Sequence, residues 1–279
     1  MFCPSGHCLC RTLQTQSTQV WNDLQDAEML GTPYHEDTVT QSLALHLNRQ
    51  HPADNRVHIF GRAAESKNGS DFIWLFFEPS LSRYFPVAVQ AKRLYPSGRY
   101  DAFKAHQVDK IRKYAHVIGG VPIYLTYNFP EMVPGLWKVW SHGRPTWPVH
   151  ILDYQRDLGL SYVHADHVVG IKDGKLSPSD IASHCFPMWT PFCQCRASSS
   201  GDPLNDLWLR FSVSAEGEEP SAARQGPMDT HPLLRSWKSG EEVRDEGLMD
   251  VLRMYEFADG EGFSPSFVLG TTIGGRDER

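Results

Sequence analysis

Four side chains could carry chemistry together: Glu36, Asp71, Gln90 and Lys92. Asp71 follows Asn68-Gly69-Ser70, a turn signal, and opens the apolar run Phe72 to Phe77. About twenty residues on, Gln90 and Lys92 sit two apart in an otherwise apolar stretch. Residues two apart on a strand share a face, so both could converge on Asp71 from a neighbouring strand. An amide inside a central apolar strand brings no packing gain, so Gln90 asks for a reason. An acid, an amide and an ammonium at the ends of paired strands suit metal-assisted cleavage of a phosphodiester, which needs charge neutralisation on the phosphate and an activated water. In that reading Asp71 is the main metal ligand. Gln90 supplies a carbonyl or positions a water, Lys92 orients or deprotonates the nucleophile, and Glu36 reaches the metal directly or through water. Magnesium fits, because it accepts few protein oxygens and keeps waters and substrate phosphates; manganese is the alternative. Each residue also has a plainer role: a turn acid, a solvated strand end, a first-turn dipole partner.

The elements that must position these groups are readable from periodicity. Glu36-Asp37-Thr38 opens a helix through Leu47. Strands are expected at Arg56–Phe60, Phe72–Phe77, Phe85–Ala91 and Val121–Tyr127, and Asn68-Gly69 is read as a two-residue hairpin. That hairpin would turn Glu65 to the opposite sheet face from Asp71. A helix is expected over Asp101–Ile118, ended by Gly119-Gly120. The order α-β-β-β-α-β implies an α/β protein with a mixed central sheet flanked by helices. The helix after Lys92 is locally basic. Arg93, Arg99, Lys104, Gln107 and Lys110 are candidate nucleic-acid contacts, with Gln107 nearest the site because it precedes the inward Ile111 by one turn.

The motif set resembles the PD-(D/E)xK nuclease superfamily, in its Mrr-like branch where Gln replaces the last acid. Those enzymes carry an early helix Glu, a Gly-x-Asp after a turn, and a strand ending Val-Gln-x-Lys-Arg or Val-Glu-x-Lys. The counterparts are Glu36, Gly69-Ser70-Asp71 and Val89-Gln90-Ala91-Lys92-Arg93. The wider stretch from Glu36 to Asn128 is also similar to a family of uncharacterised bacterial proteins of comparable length. The resemblance implies a restriction-endonuclease-like core, a Mg2+- or Mn2+-dependent DNA endonuclease active in defence against foreign DNA, and a homodimer in which two sites cut two strands. A Gln in place of the acid leaves less negative charge for a cation. A catalytically inactive nuclease fold that binds nucleic acid or a partner is the rival reading.

The chain has 279 residues, of which 41% are hydrophobic, enough for a substantial core. With 27 Lys+Arg against 33 Asp+Glu it is not a small basic binding module, although one cleft can still attract an anion. No apolar run is long enough to span a bilayer, and Met1-Phe2-Cys3-Pro4 lacks signal-peptide regions. The expected compartment is the cytoplasm, with the six Cys reduced. Cys8-Leu9-Cys10 and Cys193-Gln194-Cys195 could supply four thiolates to Zn2+, organising a structural or regulatory protein. Their spacing is not that of a zinc ribbon, and free thiols are the plainer reading. His164 and His167 have ligand spacing for a helix but no catalytic motif around them.

The expected organisation is a leader over 1–33 with one short helix at Gln19–Met29, the nuclease-like core over 34–130, and an extension packed on it over 131–196. A loop-rich or disordered segment follows over 197–246, interrupted by the apolar patch Leu207–Val213, and a C-terminal helix and strand lie over 247–279. Strands at Val149–Leu152 and Ser266–Thr272 and helices at Ser179–His184 and Gly247–Phe257 complete the reading.

Overall fold

The computed structural model describes residues 8–51, 55–77, 83–129, 156–168, 174–192, 203–212 and 228–229. The expected elements at Val149–Leu152, Gly247–Phe257 and Ser266–Thr272 lie outside them. The described chain is a mixed α/β structure built on one sheet, in the spatial order β1 (Asn55–Ile59), β2 (Phe72–Phe77), β3 (Arg83–Arg93), β5 (Val121–Tyr127), β6 (Leu160–His164) and β8 (Cys185–Pro187). All neighbours are antiparallel except β3 and β5, which run parallel. The two-residue strand β9 (Met228–Asp229) pairs with the start of β3, and β4 (Ala102–Phe103) pairs with β7 (Gly174–Lys175) in a separate ribbon.

A parallel pair requires a crossover, and helix α4 (Ala105–Val117) supplies it between β3 and β5. Its stripe Val108, Ile111 and Ala115 is buried. On the opposite face lies α2 (Glu36–Gln50), whose Thr40 hydroxyl is 2.7 Å from that of Tyr127. Beyond it, α6 (Pro203–Ser212) inserts Phe211 among Phe76, Phe85, Tyr162 and Phe192, with ring centroids 5.3–5.9 Å apart.

Several expectations are corrected. The first concerns Asn68-Gly69, which is not a hairpin. Arg62–Asn68 forms helix α3, and Gly69 is its left-handed cap at φ 72°. The Asn-Gly pair satisfies a helix C-cap as well as a hairpin turn, because both need a positive φ. Gly69 has a second reason to be glycine: a Cβ there would lie 2.7 Å from the Gln107 carbonyl oxygen and 2.9 Å from the Ile111 nitrogen. Glu65 therefore sits on a helix, and no strand alternation turns it away from Asp71.

The second correction concerns the leader. Leu9–Leu30 is one 22-residue helix, α1, with Leu9, Leu13, Val20, Trp21, Leu24 and Ala27 buried. Its stripe is hidden in sequence by the polar residues Thr12, Gln16 and Ser17. Two of those positions are tolerated because Thr12 bonds His51 at 2.8 Å and Ser17 Oγ accepts from the Leu160 N–H at 2.9 Å. In the third, α4 begins only at Ala105, because Ala102–Phe103 pair with β7. In addition, Ser179–His184 becomes a short α-helix, α5 (Pro178–Ile181), with a 3-10 turn at Ala182–His184. The patch at Leu207 belongs to α6, and Met228–Asp229 is a strand inside the stretch expected to be loop.

Candidate functional site

The site forms where β2 begins and β3 ends. The β2–β3 register, Phe72 opposite Val89, carries Asp71 opposite Gln90 one step further on. The Asp71 N–H donates to the Val89 carbonyl at 2.8 Å, so the backbone is still strand-like there. Asp71 and Gln90 thus share a face, and Lys92 joins them two residues later. Asp71 and Gln90 meet here, with Lys92 on the same face, and a helix cap rather than a hairpin delivers Asp71.

Asp71 is held by two donors on one oxygen. Gln90 Nε2 and the Ala91 N–H each donate to Oδ2 at 2.5 Å. Gln90 points its nitrogen, not its carbonyl, at the acid; its Oε1 instead accepts from Gln107 Nε2 at 2.7 Å. Of the two roles expected of Gln90, a carbonyl for a metal or the placing of a water, the first is not available in this orientation, because Gln107 on α4 occupies Oε1. Glu36 arrives from the first turn of α2, where Oε2 accepts the Arg93 N–H at 2.7 Å. One oxygen of each carboxylate is thereby tied to the end of β3. Lys92 is 6% exposed, and its charge acts favourably on both carboxylates.

The electrostatics are lopsided. Burial, outweighing Lys92 and the Arg93 N–H, pushes the Glu36 carboxyl up to about 7. Burial, then the charge of Glu36, pushes Asp71 up to about 8, and Glu65 adds to the effect. Two carboxylates raised toward neutrality by burial form a site short of positive charge, and a divalent cation would supply it. Among the described residues no group of three or more His, Cys, Asp or Glu is arranged to hold a metal. The donors that converge are two carboxylates, which suits a cation that keeps most of its waters.

The expected nucleic-acid contacts separate. Arg99 and Lys104 are exposed. Lys110 donates to the Ser66 carbonyl at 2.6 Å and braces α3 against α4. Gln107 reaches the site itself. Arg93 is 9% exposed: Nη1 donates to the Tyr34 carbonyl, and the guanidinium lies 5.3 Å from the Tyr95 ring centroid. Two residues were not legible beforehand. Tyr124 stands beside Gln90 in the parallel β3–β5 register. Its hydroxyl is buried without a partner among the described residues, and burial followed by Asp71 raises its pKa. Tyr34 caps Arg93 through its backbone, which no side-chain pattern announces.

The other candidate clusters resolve differently. Cys8 and Cys10 are disulfide-bonded, so they are not the reduced thiols expected, and a disulfide sulfur is not a thiolate ligand. Cys193 and Cys195 lie outside the described residues. Cys185 is free and buried. His164 closes β6 and His167 occupies a 3-10 turn rather than an α-helix; His167 stacks on His184 with centroids 4.0 Å apart. Among the described residues, no helix is long and apolar enough to cross a membrane.

The family of unknown function DUF6615 matches residues 9–249. The chain belongs to that family. No curated protein matches it. The matched span begins in the first turn of α1 and takes in every strand of the described sheet.

Proposed function

We propose that this protein is a divalent-cation-dependent nuclease with a restriction-endonuclease-like core. The observation that carries the proposal is the meeting of two half-buried carboxylates raised toward neutrality, Asp71 and Glu36, with the buried Lys92 at the end of one strand pair. Asp71 and Glu36 would hold the cation, each through the oxygen not tied to β3. The cation would neutralise phosphate charge and lower the pKa of a bound water. Lys92 stands where an ammonium can orient the attacking water and balance charge on the phosphorane-like transition state. Gln90 and the Ala91 N–H fix Asp71 so that it needs no reorganisation during reaction. Arg99 and Lys104 offer exposed positive charge for phosphate contacts.

DNA is the substrate we favour, on the resemblance to DNA-cleaving enzymes, and defence against foreign DNA is the matching role. A dimer would present two sites to two strands. The test is incubation of the purified full chain with labelled duplex DNA, single-stranded DNA and RNA, with Mg2+, Mn2+ or EDTA. Cleavage should require the cation and fall about 10³-fold in Lys92→Ala. Binding of DNA with no cleavage under any cation would instead identify an inactive nuclease fold. Cleavage undiminished in both Lys92→Ala and Asp71→Ala would remove the site assignment.

A further inference from the structure

The least expected feature of the site is the polarity of its amides. Gln107 Nε2 donates to Gln90 Oε1 at 2.7 Å, and Gln90 Nε2 donates to Asp71 Oδ2 at 2.5 Å. The two bonds form a directed chain from α4 through β3 to the acid. An amide group has one donor end and one acceptor end, so fixing one end fixes the other. Gln90 is 1% exposed, so water cannot compete for either end. Gln107 is itself fixed by the close approach of α4 to Gly69, where the Gln107 carbonyl oxygen would lie 2.7 Å from a Cβ.

We propose that Gln107 is a positioning residue that decides what the amide at position 90 does. By donating to Oε1, it holds the Gln90 nitrogen on Asp71, so position 90 serves the carboxylate as a donor and does not ligate the cation. This rests on the reading of Asp71 and Glu36 as the cation's ligands. It also gives a physical meaning to Gln where related nucleases carry an acid. A carboxylate at position 90 would set two acceptors 2.5 Å apart against Asp71 and would need a cation or a proton between them. The amide removes that requirement, and the site can be built without a cation in place.

The chain is reversible by one substitution. In Gln107→Glu, position 107 can only accept, so Gln90 must turn its nitrogen toward α4 and its carbonyl toward Asp71. That adds an oxygen ligand, and Mn2+ affinity should rise about tenfold or more. The substitution also adds a negative charge, which would tighten a cation without any reorientation. The control is Gln107→Glu in a Gln90→Leu background: without the amide, most of the gain should vanish.

The experiment has two arms on the full chain. In the first, Mn2+ binding is measured calorimetrically for the wild type, Gln107→Glu, Gln90→Leu and the double variant. In the second, the cation-free protein is labelled with 15N-glutamine and the Gln90 side-chain amide protons are followed by NMR. One proton should be shifted strongly downfield by the Asp71 carboxylate, and this shift should be lost in Gln107→Leu although the fold, judged by the backbone spectrum, persists. A Gln90 amide spectrum unchanged by Gln107→Leu overturns the proposal. So does a Gln107→Glu gain that is equal with and without Gln90. A wild type that binds no Mn2+ but shows the Gln90 shift and its loss would refute the nuclease reading and leave the amide chain standing.

Discussion

Two polar clusters, one half-buried and one buried, lie side by side in this sheet and are built on opposite principles. The first is the candidate site: Glu36, Asp71, Gln90 and Lys92. The second is the next patch on β5 and β6, made of Tyr100, Thr126, Asn128 and Ser161. They touch, because Lys92 stands beside Thr126 in the β3–β5 register. The second cluster is neutral. Tyr100 donates to Asn128 Oδ1 at 2.7 Å, Asn128 Nδ2 donates to the Leu158 carbonyl at 2.7 Å, and Ser161 Oγ donates to the same carbonyl at 3.0 Å. Thr126 donates to the Ser161 carbonyl at 3.2 Å. Each member has a partner, which is how burial of polar groups is made tolerable. The first cluster contains two carboxylates whose ionisation burial opposes. Polarity alone does not set the two apart; what distinguishes the first is ionisable charge that desolvation opposes.

That contrast can be broken from either side. The largest effect falls on activity in the charged cluster. Asp71→Ala should abolish detectable cleavage, a loss of about 10³-fold or more, while thermal unfolding shows a protein no less stable than the wild type. The neutral cluster should behave in reverse. Asn128→Ala strips a partner from Tyr100 and from the Leu158 carbonyl, and denaturant unfolding should register a loss of about 2–4 kcal/mol, with cleavage per folded molecule unchanged.

The pH dependence sharpens the comparison further. Asp71 and Glu36 have folded-state pKa values of about 8 and about 7, above the usual carboxylate range. The folded state then holds protons that the unfolded state has released. Their stabilising contribution is complete below the unfolded carboxylate pKa near 4 and is lost as pH rises through the folded values. In cation-free protein the urea midpoint should decline from about pH 4 to about pH 8. Asp71→Asn should flatten that decline, and Mg2+ should offset it at pH 8. A profile identical in wild type and Asp71→Asn would contradict the shift. The smallest expected effect is at the joint between α3 and α4. Gly69→Ala combines a positive φ with a backbone approach of 2.7 Å, and should destabilise by about 1–2 kcal/mol.

What was readable in the sequence follows from period and spacing. The strands around Phe72, Val89 and Val121 are apolar on both faces, and the helices after Glu36 and before Gly119 carry clear stripes, so a mixed sheet flanked by helices and the approach of Gln90 to Asp71 could be anticipated. The turn before Asp71 could not, because a left-handed glycine serves a helix cap and a hairpin equally well. Helix α1 was hidden because three of its buried positions are polar, and two of them, Thr12 and Ser17, find partners only in the tertiary structure. The orientation of Gln90 was beyond reach for the same reason: an amide has no preferred end until Gln107 is placed opposite it. Tyr124 joins the site through a parallel pairing that no local pattern encodes.

If the charged cluster holds a divalent cation, Mn2+ titration of the full chain followed by electron paramagnetic resonance should show one saturable site in the wild type, lost in Asp71→Ala, weakened in Glu36→Ala and retained in Asn128→Ala. Binding of equal strength in the wild type, Asp71→Ala and Glu36→Ala, or no binding in any of them, would contradict it.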